Sequence, residues 1–271
     1  MKRFLLITFS LFFATWALAE EKFDFQKRLK DAHNGNPIAQ NEIGEYFAAG
    51  GNGEIARDYE IAVKWWEAAS QQGNASAMTN LGAAYFSGNG VWRDPSKAVR
   101  YWSEAAKLGD AEAQYFIGTV YCNGLGVMRD YQTAVFWWDK AASKGHSRAQ
   151  NNLAFAYARG EGVDRDIKKA FKLWESSAEQ GNLVAQVYLA LCYFTGDGVA
   201  KDEQKAVAIW TNAAERGNRD AIRYMGVAYA SGRGINKDLK RALAFYQRAA
   251  LMGDKEAAIA ADKLKIDIFS K

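Results

Sequence analysis

Histidine, cysteine and proline are scarce in this chain of 271 residues, with two of each. His33 and His146 offer little from which to build a metal cluster or a nucleophile–base pair. Charge of one sign is lacking too. The 35 basic and 31 acidic side chains leave a net charge of +4, and no stretch forms the basic stripe that nucleic acid or an anionic membrane would call for. The only long apolar run sits at the start. Lys2 and Arg3 precede Phe4 to about Leu18, and Ala17-Leu18-Ala19 closes the run. That is the layout of a secretory signal peptide with an A-x-A cleavage site. The run is shorter than the ~20 apolar residues a membrane span needs. Cleavage is therefore expected after Ala19, with no integral membrane segment remaining, and the mature chain would be periplasmic or secreted. Its 33 basic and 31 acidic side chains steer no partner by net charge.

What the sequence has in abundance is itself. Glycine recurs at Gly73, Gly109, Gly145, Gly181, Gly217 and Gly253, always thirty-six residues apart. Alanine does so at Ala62, Ala98, Ala134, Ala170, Ala206 and Ala242, followed four residues later by Trp66, Trp102, Trp138, Trp174, Trp210 and Tyr246. A fixed period of this length marks a solenoid of stacked supersecondary units.

Each repeat reads as two helices. In Asn74 to Gly109, Ala77, Leu81 and Tyr85 share one helical face behind an Asn74 N-cap, and Gly88-Asn89-Gly90 ends that helix. The second helix opens at Asp94-Pro95, and Ala98, Trp102, Ala105 and Ala106 form its apolar face up to Gly109, a left-handed C′ residue. Pro37 behind Asn36 repeats the arrangement seen at Pro95. Small residues at Gly82, Gly118, Ala154, Ala190 and Gly226 leave room where helices cross, so the tryptophans are expected in the core.

These residues carry a family resemblance. Ala77, Leu81, Gly82, Tyr85, Gly88, Gly90, Val91, Asp94, Lys97, Ala98, Trp102, Ala105, Ala106 and Gly109 closely resemble the Sel1-like repeat, a relative of the tetratricopeptide repeat. A tetratricopeptide unit is shorter, at ~34 residues, and the extra residues here lie in the glycine-rich turn. The resemblance implies an all-α fold, a right-handed α-solenoid of stacked helix pairs. The expected organisation is a signal peptide over 1–19, a capping helix over 20–35 and six repeats. The repeats run over 36–73, 74–109, 110–145, 146–181, 182–217 and 218–253, and a capping helix and tail over 254–271 follow.

Chemistry finds little foothold in this frame. His146 falls in the N-cap slot of Asn74 and Asp110. The Gly-x-Gly turns precede helices, but Asp58, Asp94, Asp130, Asp166, Asp202 and Asp238 already occupy those N-termini and would repel a phosphate. One aspartate per repeat, ~8–10 Å from the next by helix packing, cannot converge on one ion at ~2.5 Å. No catalytic residue, metal site or cofactor is assigned.

The resemblance implies a binding module, an adaptor for a protein or peptide partner, whose first helices line a concave groove. By analogy with tetratricopeptide geometry the groove positions of the fifth repeat are Val184, Val187, Leu191 and Phe194. That first helix is apolar nearly all round and must be buried by something. Neighbouring repeats could cover it, or it could form the groove with Tyr115 and Phe155 as further lining and Arg148 and Arg223 at its edges. Phe194 and Leu191 are then the expected anchors. Two other functions stay open: a secreted factor that contacts a host, and penicillin binding or hydrolysis as linked to some cysteine-rich relatives. The latter lacks any serine–lysine constellation here.

Those relatives pair cysteines within each repeat, a pattern this sequence departs from. Cys122 and Cys192 stand two repeats apart on equivalent helices, on the order of 20 Å by helix spacing, against a Cα limit of ~7 Å for a bridge. A thiol titration of the denatured, oxidised protein is expected to find two free thiols per chain; finding none would overturn the reading.

Overall fold

The computed structural model describes residues 24–51 and 55–269, so the expected signal peptide lies outside the described residues. Among these residues there are fourteen α-helices and no strand. The chain divides into two compact units, Met1–Tyr101 and Trp102–Lys271, with the division falling inside one helix. The N-terminal unit holds α1 (Phe25–His33), α2 (Pro37–Ala49), α3 (Tyr59–Ser70), α4 (Ala75–Ser87) and the start of α5 (Pro95–Lys107). The C-terminal unit continues from α5 with α6 (Ala111–Asn123), α7 (Tyr131–Ser143), α8 (Ser147–Arg159), α9 (Ile167–Glu179) and α10 (Leu183–Thr195). It closes with α11 (Glu203–Glu215), α12 (Arg219–Ser231), α13 (Leu239–Leu251) and α14 (Lys255–Phe269). From α6 to α14 each helix packs on the next.

Punctuation in the sequence sets the helix limits. The Asp130 carboxylate accepts the N–H groups of Gln132 and Thr133 at 2.9 and 3.1 Å, and Asp166, Asp202 and Asp238 each cap the third residue beyond them. First helices use asparagine, aspartate or histidine caps, as where Asn182 accepts from Val184 and Ala185 and Asp110 from Ala113. Pro37 and Pro95 both stand first in their helices, where proline's missing N–H has no intrahelical partner to lose.

The turn between the two helices is closed twice. The N–H of the capping aspartate reaches back to a tyrosine carbonyl: Asp166 to Tyr157 at 2.9 Å, Asp202 to Tyr193 at 2.8 Å, Asp238 to Tyr229 at 2.9 Å. The side chain of the same tyrosine then meets a cation from the second helix. Lys205 donates to the Tyr193 hydroxyl at 2.7 Å and lies 4.2 Å over its ring, and Arg241 does the equivalent at Tyr229. The second glycine of the turn allows close approach. A Cβ on Gly162, already at φ +74°, would fall 2.3 Å from the backbone of Tyr131, where the preceding second helix begins.

The core lies between the helices of each pair. Trp66, Trp138, Trp174 and Trp210 are all buried, and they are accommodated in two ways. A Cβ on Gly44 would meet the Trp66 indole at 2.5 Å, and one on Gly118 would meet Trp138 at 2.5 Å. Here the indole leans on its own first helix. Trp174 and Trp210 stand beside Ala154 and Ala190, both fully buried. These two indoles stack instead on tyrosines of the following repeat, Trp174 on Tyr188 at 5.3 Å and Trp210 on Tyr224 at 4.9 Å. Beyond Trp66 and Trp138 the following repeat offers Asn80 and Asn152 at the stacking position, whereas Trp102, in register with Gly82, stacks on Phe116 at 4.7 Å.

Trp138→Ala should cost ~3–5 kcal/mol as a buried aromatic truncation. Gly118→Ala should cost ~1–3 kcal/mol by overpacking against that indole. Urea unfolding followed by circular dichroism measures both. Hydrogen exchange should show protection falling first in α6 to α9, and uniform loss from α1 to α14 would contradict nearest-neighbour coupling.

Candidate partner-binding face

The first helices α6, α8, α10 and α12 carry the expected groove residues, all within the C-terminal unit. The structure resolves them into three environments.

Tyr115 and Arg148 come together. The Arg148 guanidinium lies 4.7 Å over the half-buried Tyr115 ring, on which the His146 imidazole also stacks at 5.0 Å. His146 is the N-cap that its position predicted: its Nδ1 accepts from the Ala149 N–H at 3.1 Å. An accepting Nδ1 carries no proton, so Nε2 bears it and donates to Glu112 at 2.7 Å. Arg148 pairs with the other oxygen of Glu112. Burial alone would push the Glu112 carboxyl up, but the hydrogen bonds from His146 and Arg148 outweigh it and hold it below its ordinary value.

Val187 and Phe194 belong to the core and not to a free groove wall. Val187 is 1% exposed, and its carbonyl accepts the Trp210 indole N–H at 3.2 Å. Phe194 is 5% exposed, tilted on Trp210 at 5.0 Å and roofed by Arg233 at 3.8 Å, whose guanidinium also donates to the Phe194 carbonyl at 2.8 Å. A serine in place of Phe194 would leave a void beneath Arg233. Trp210 of the same repeat and Arg233 of the next cover this side of α10, so of the two expected anchors Phe194 is packed before any partner arrives. Val184 remains 43% exposed and Leu191 is half-buried.

Phe155 and Arg223 lie at the margins. The half-buried Phe155 ring meets Trp174 at 5.4 Å and Tyr188 at 4.5 Å edge-on, with Arg159 5.2 Å above it. Arg223 is committed to Asp254 at 3.0 Å and Glu256 at 3.1 Å, joining α12 to α14. Between α6 and α8 opens a cavity of about 210 Å³ lined by residues including Thr119, Trp138, Asn152 and Phe155. Reading of the sequence passed over Glu112, Arg233 and this cavity; the loss of an aromatic at Asn152, where Tyr188 and Tyr224 stand in later repeats, was the available signal.

Among the described residues no group of three histidine, cysteine, aspartate or glutamate side chains could hold a metal ion. No described helix is long and apolar enough to cross a membrane. Cys122 and Cys192 are free, and burial pushes the Cys192 thiol up to about 11.

Helix pairs repeating at one spacing, small-residue crossings and aspartate-capped turns define an all-α solenoid of stacked helix pairs. The chain belongs to the Sel1 repeat family, whose profile matches residues 37–74, 75–110, 111–146, 147–182, 183–218 and 219–254. Among solved structures it is similar to a Sel1 repeat protein from Oxalobacter formigenes. The two are 31% identical over 80% of this chain and 89% of that one, with a TM-score of 0.71. It is also similar to c5321, a protective antigen present in uropathogenic Escherichia coli strains that displays an SLR fold. There the identity is 28% and the TM-score 0.70, over 90% of this chain and 59% of that one. No curated protein matches the sequence.

Glu112→Gln should lower stability at neutral pH by on the order of 1 kcal/mol, the worth of a half-exposed networked ion pair. A depressed carboxyl stabilises above its unfolded value and stops doing so as pH falls through its folded value. The gap between variant and wild-type melting temperatures should therefore close below the usual carboxylate range. A gap unchanged down to that pH would sink the assignment.

Proposed function

We propose that this chain is an exported scaffold that holds a protein or peptide segment on the first-helix face of its C-terminal unit, in envelope signalling or assembly. Sel1 repeat proteins generally mediate protein–protein interaction and are typically non-enzymatic. The observation that carries the reading is the face itself. Tyr115, Phe155 and Leu191 stay half-buried on successive first helices, with exposed Arg148 and Arg159 beside the first two. Aromatic rings rimmed by guanidinium groups are what protein hot spots are made of. The signal-peptide layout of residues 1–19 supports export, with cleavage after Ala19.

A second reading, a secreted factor contacting a host, has one observation in its favour. The similar c5321 is described as a protective antigen, and protection by antibody requires a surface that antibody can reach.

Photo-crosslinking followed by pull-down from envelope and medium fractions tests both. Arg148→Ala/Arg159→Ala should lose most of the partner crosslinked by the wild type while keeping its far-UV helicity. Undiminished crosslinking would place the binding surface elsewhere. Intact chain, with residues 1–19 still attached by mass spectrometry, would rule out export by cleavage.

A further inference from the structure

Three residues recur as a set along the first-helix face. They are the core tryptophan, the residue fourteen positions beyond it, and the residue nineteen positions before it. In the fourth repeat these are Trp174, Tyr188 and Phe155, three rings in mutual contact at 4.5 to 5.4 Å. In the fifth, Trp210 stacks on Tyr224 beside Leu191. In the third the set is Trp138, Asn152 and Thr119. Both partners have become small and polar, and a cavity of about 210 Å³ is left where the rings would stand. In the N-terminal unit Asn80 follows Trp66, and its amide donates to Glu45 at 3.1 Å and Asn41 at 3.0 Å.

We propose that the cavity between α6 and α8 is a receptor slot for an aromatic side chain, foremost tyrosine, of a partner polypeptide. The chain supplies its own precedent, since Tyr188 and Tyr224 fill the equivalent positions and lie flat on their tryptophans. The size fits: an apolar cavity of ~150 Å³ admits a benzene ring. Trp138 and Phe155 supply the aromatic wall that an inserted ring stacks on or meets edge-on. A polypeptide suits the mouth better than a free small molecule. Asn123 and Arg159 are exposed there, an amide and a guanidinium able to hydrogen-bond the peptide groups flanking the ring. The slot rests on the partner-binding reading above and gives it a recognised side chain.

The test titrates the full chain with p-cresol and with N-acetyl-L-tyrosinamide, followed by saturation-transfer NMR. Both should bind saturably in the ~0.1–10 mM range expected of ligands with so few atoms. Asn152→Tyr fills the slot from α8 and Thr119→Phe from α6. Either should weaken both probes by about tenfold or more without lowering the melting temperature, while Asn152→Ala should bind as the wild type does. Absence of saturable binding, or equal binding by both filled variants, overturns the slot. Binding of p-cresol with exclusion of N-acetyl-L-tyrosinamide overturns the polypeptide as occupant. Because the probes are small molecules, failure of the slot is read independently of whether any partner is captured from the envelope.

Discussion

The structure depends on where each tryptophan indole can go. A side chain of that size cannot share a helix crossing with another, so a small residue must oppose it. Gly44 and Gly118 meet the need by letting the indole lie against their own backbone. Ala154 and Ala190 leave less room, and Trp174 and Trp210 turn to tyrosines of the next repeat. The arrangement is set repeat by repeat: Trp102, Trp174 and Trp210 are stacked on a ring of the next first helix, and Trp138 has a cavity beside it. Local packing and the shape of the binding face are thus one problem.

Much of this was legible in the sequence because its causes are local. Aspartate caps, the two first-position prolines and the small residues opposite tryptophan act within a few residues or within one helix pair, so a single period displays them. His146 as a cap was readable for the same reason, since a register position fixes its backbone setting. The fate of the first-helix face was not. Phe194 is covered by Arg233, thirty-nine residues away, and Val187 lies beneath a contact to Trp210 of the second helix. Which side of a helix the next repeat covers depends on the small rotation between repeats, and no spacing within one repeat records that angle. Glu112 illustrates the same limit: its partners His146 and Arg148 sit one full repeat on.

The proposed binding surface is what the stacking leaves uncovered. Of the residues expected to grip a partner through apolar contact, Val187 and Phe194 are spent holding α10 in place. Half-buried rings, guanidinium groups and the space beside Trp138 remain. Such a surface favours recognition of a few inserted side chains over burial of a broad hydrophobic patch, consistent with binding energy concentrated at a few anchors.

The glycine that seats each turn has a genetic consequence. Gly162 rests against Tyr131, and Gly198 and Gly234 approach Ile167 and Glu203 in the same manner. At these three turns the glycine meets backbone of the preceding repeat, a contact that any residue's main chain can supply. That part of the joint makes no demand on which repeat stands next to it. Unequal recombination that adds or removes whole repeats would yield chains whose new junctions already fit, and length in such a lineage can vary faster than sequence.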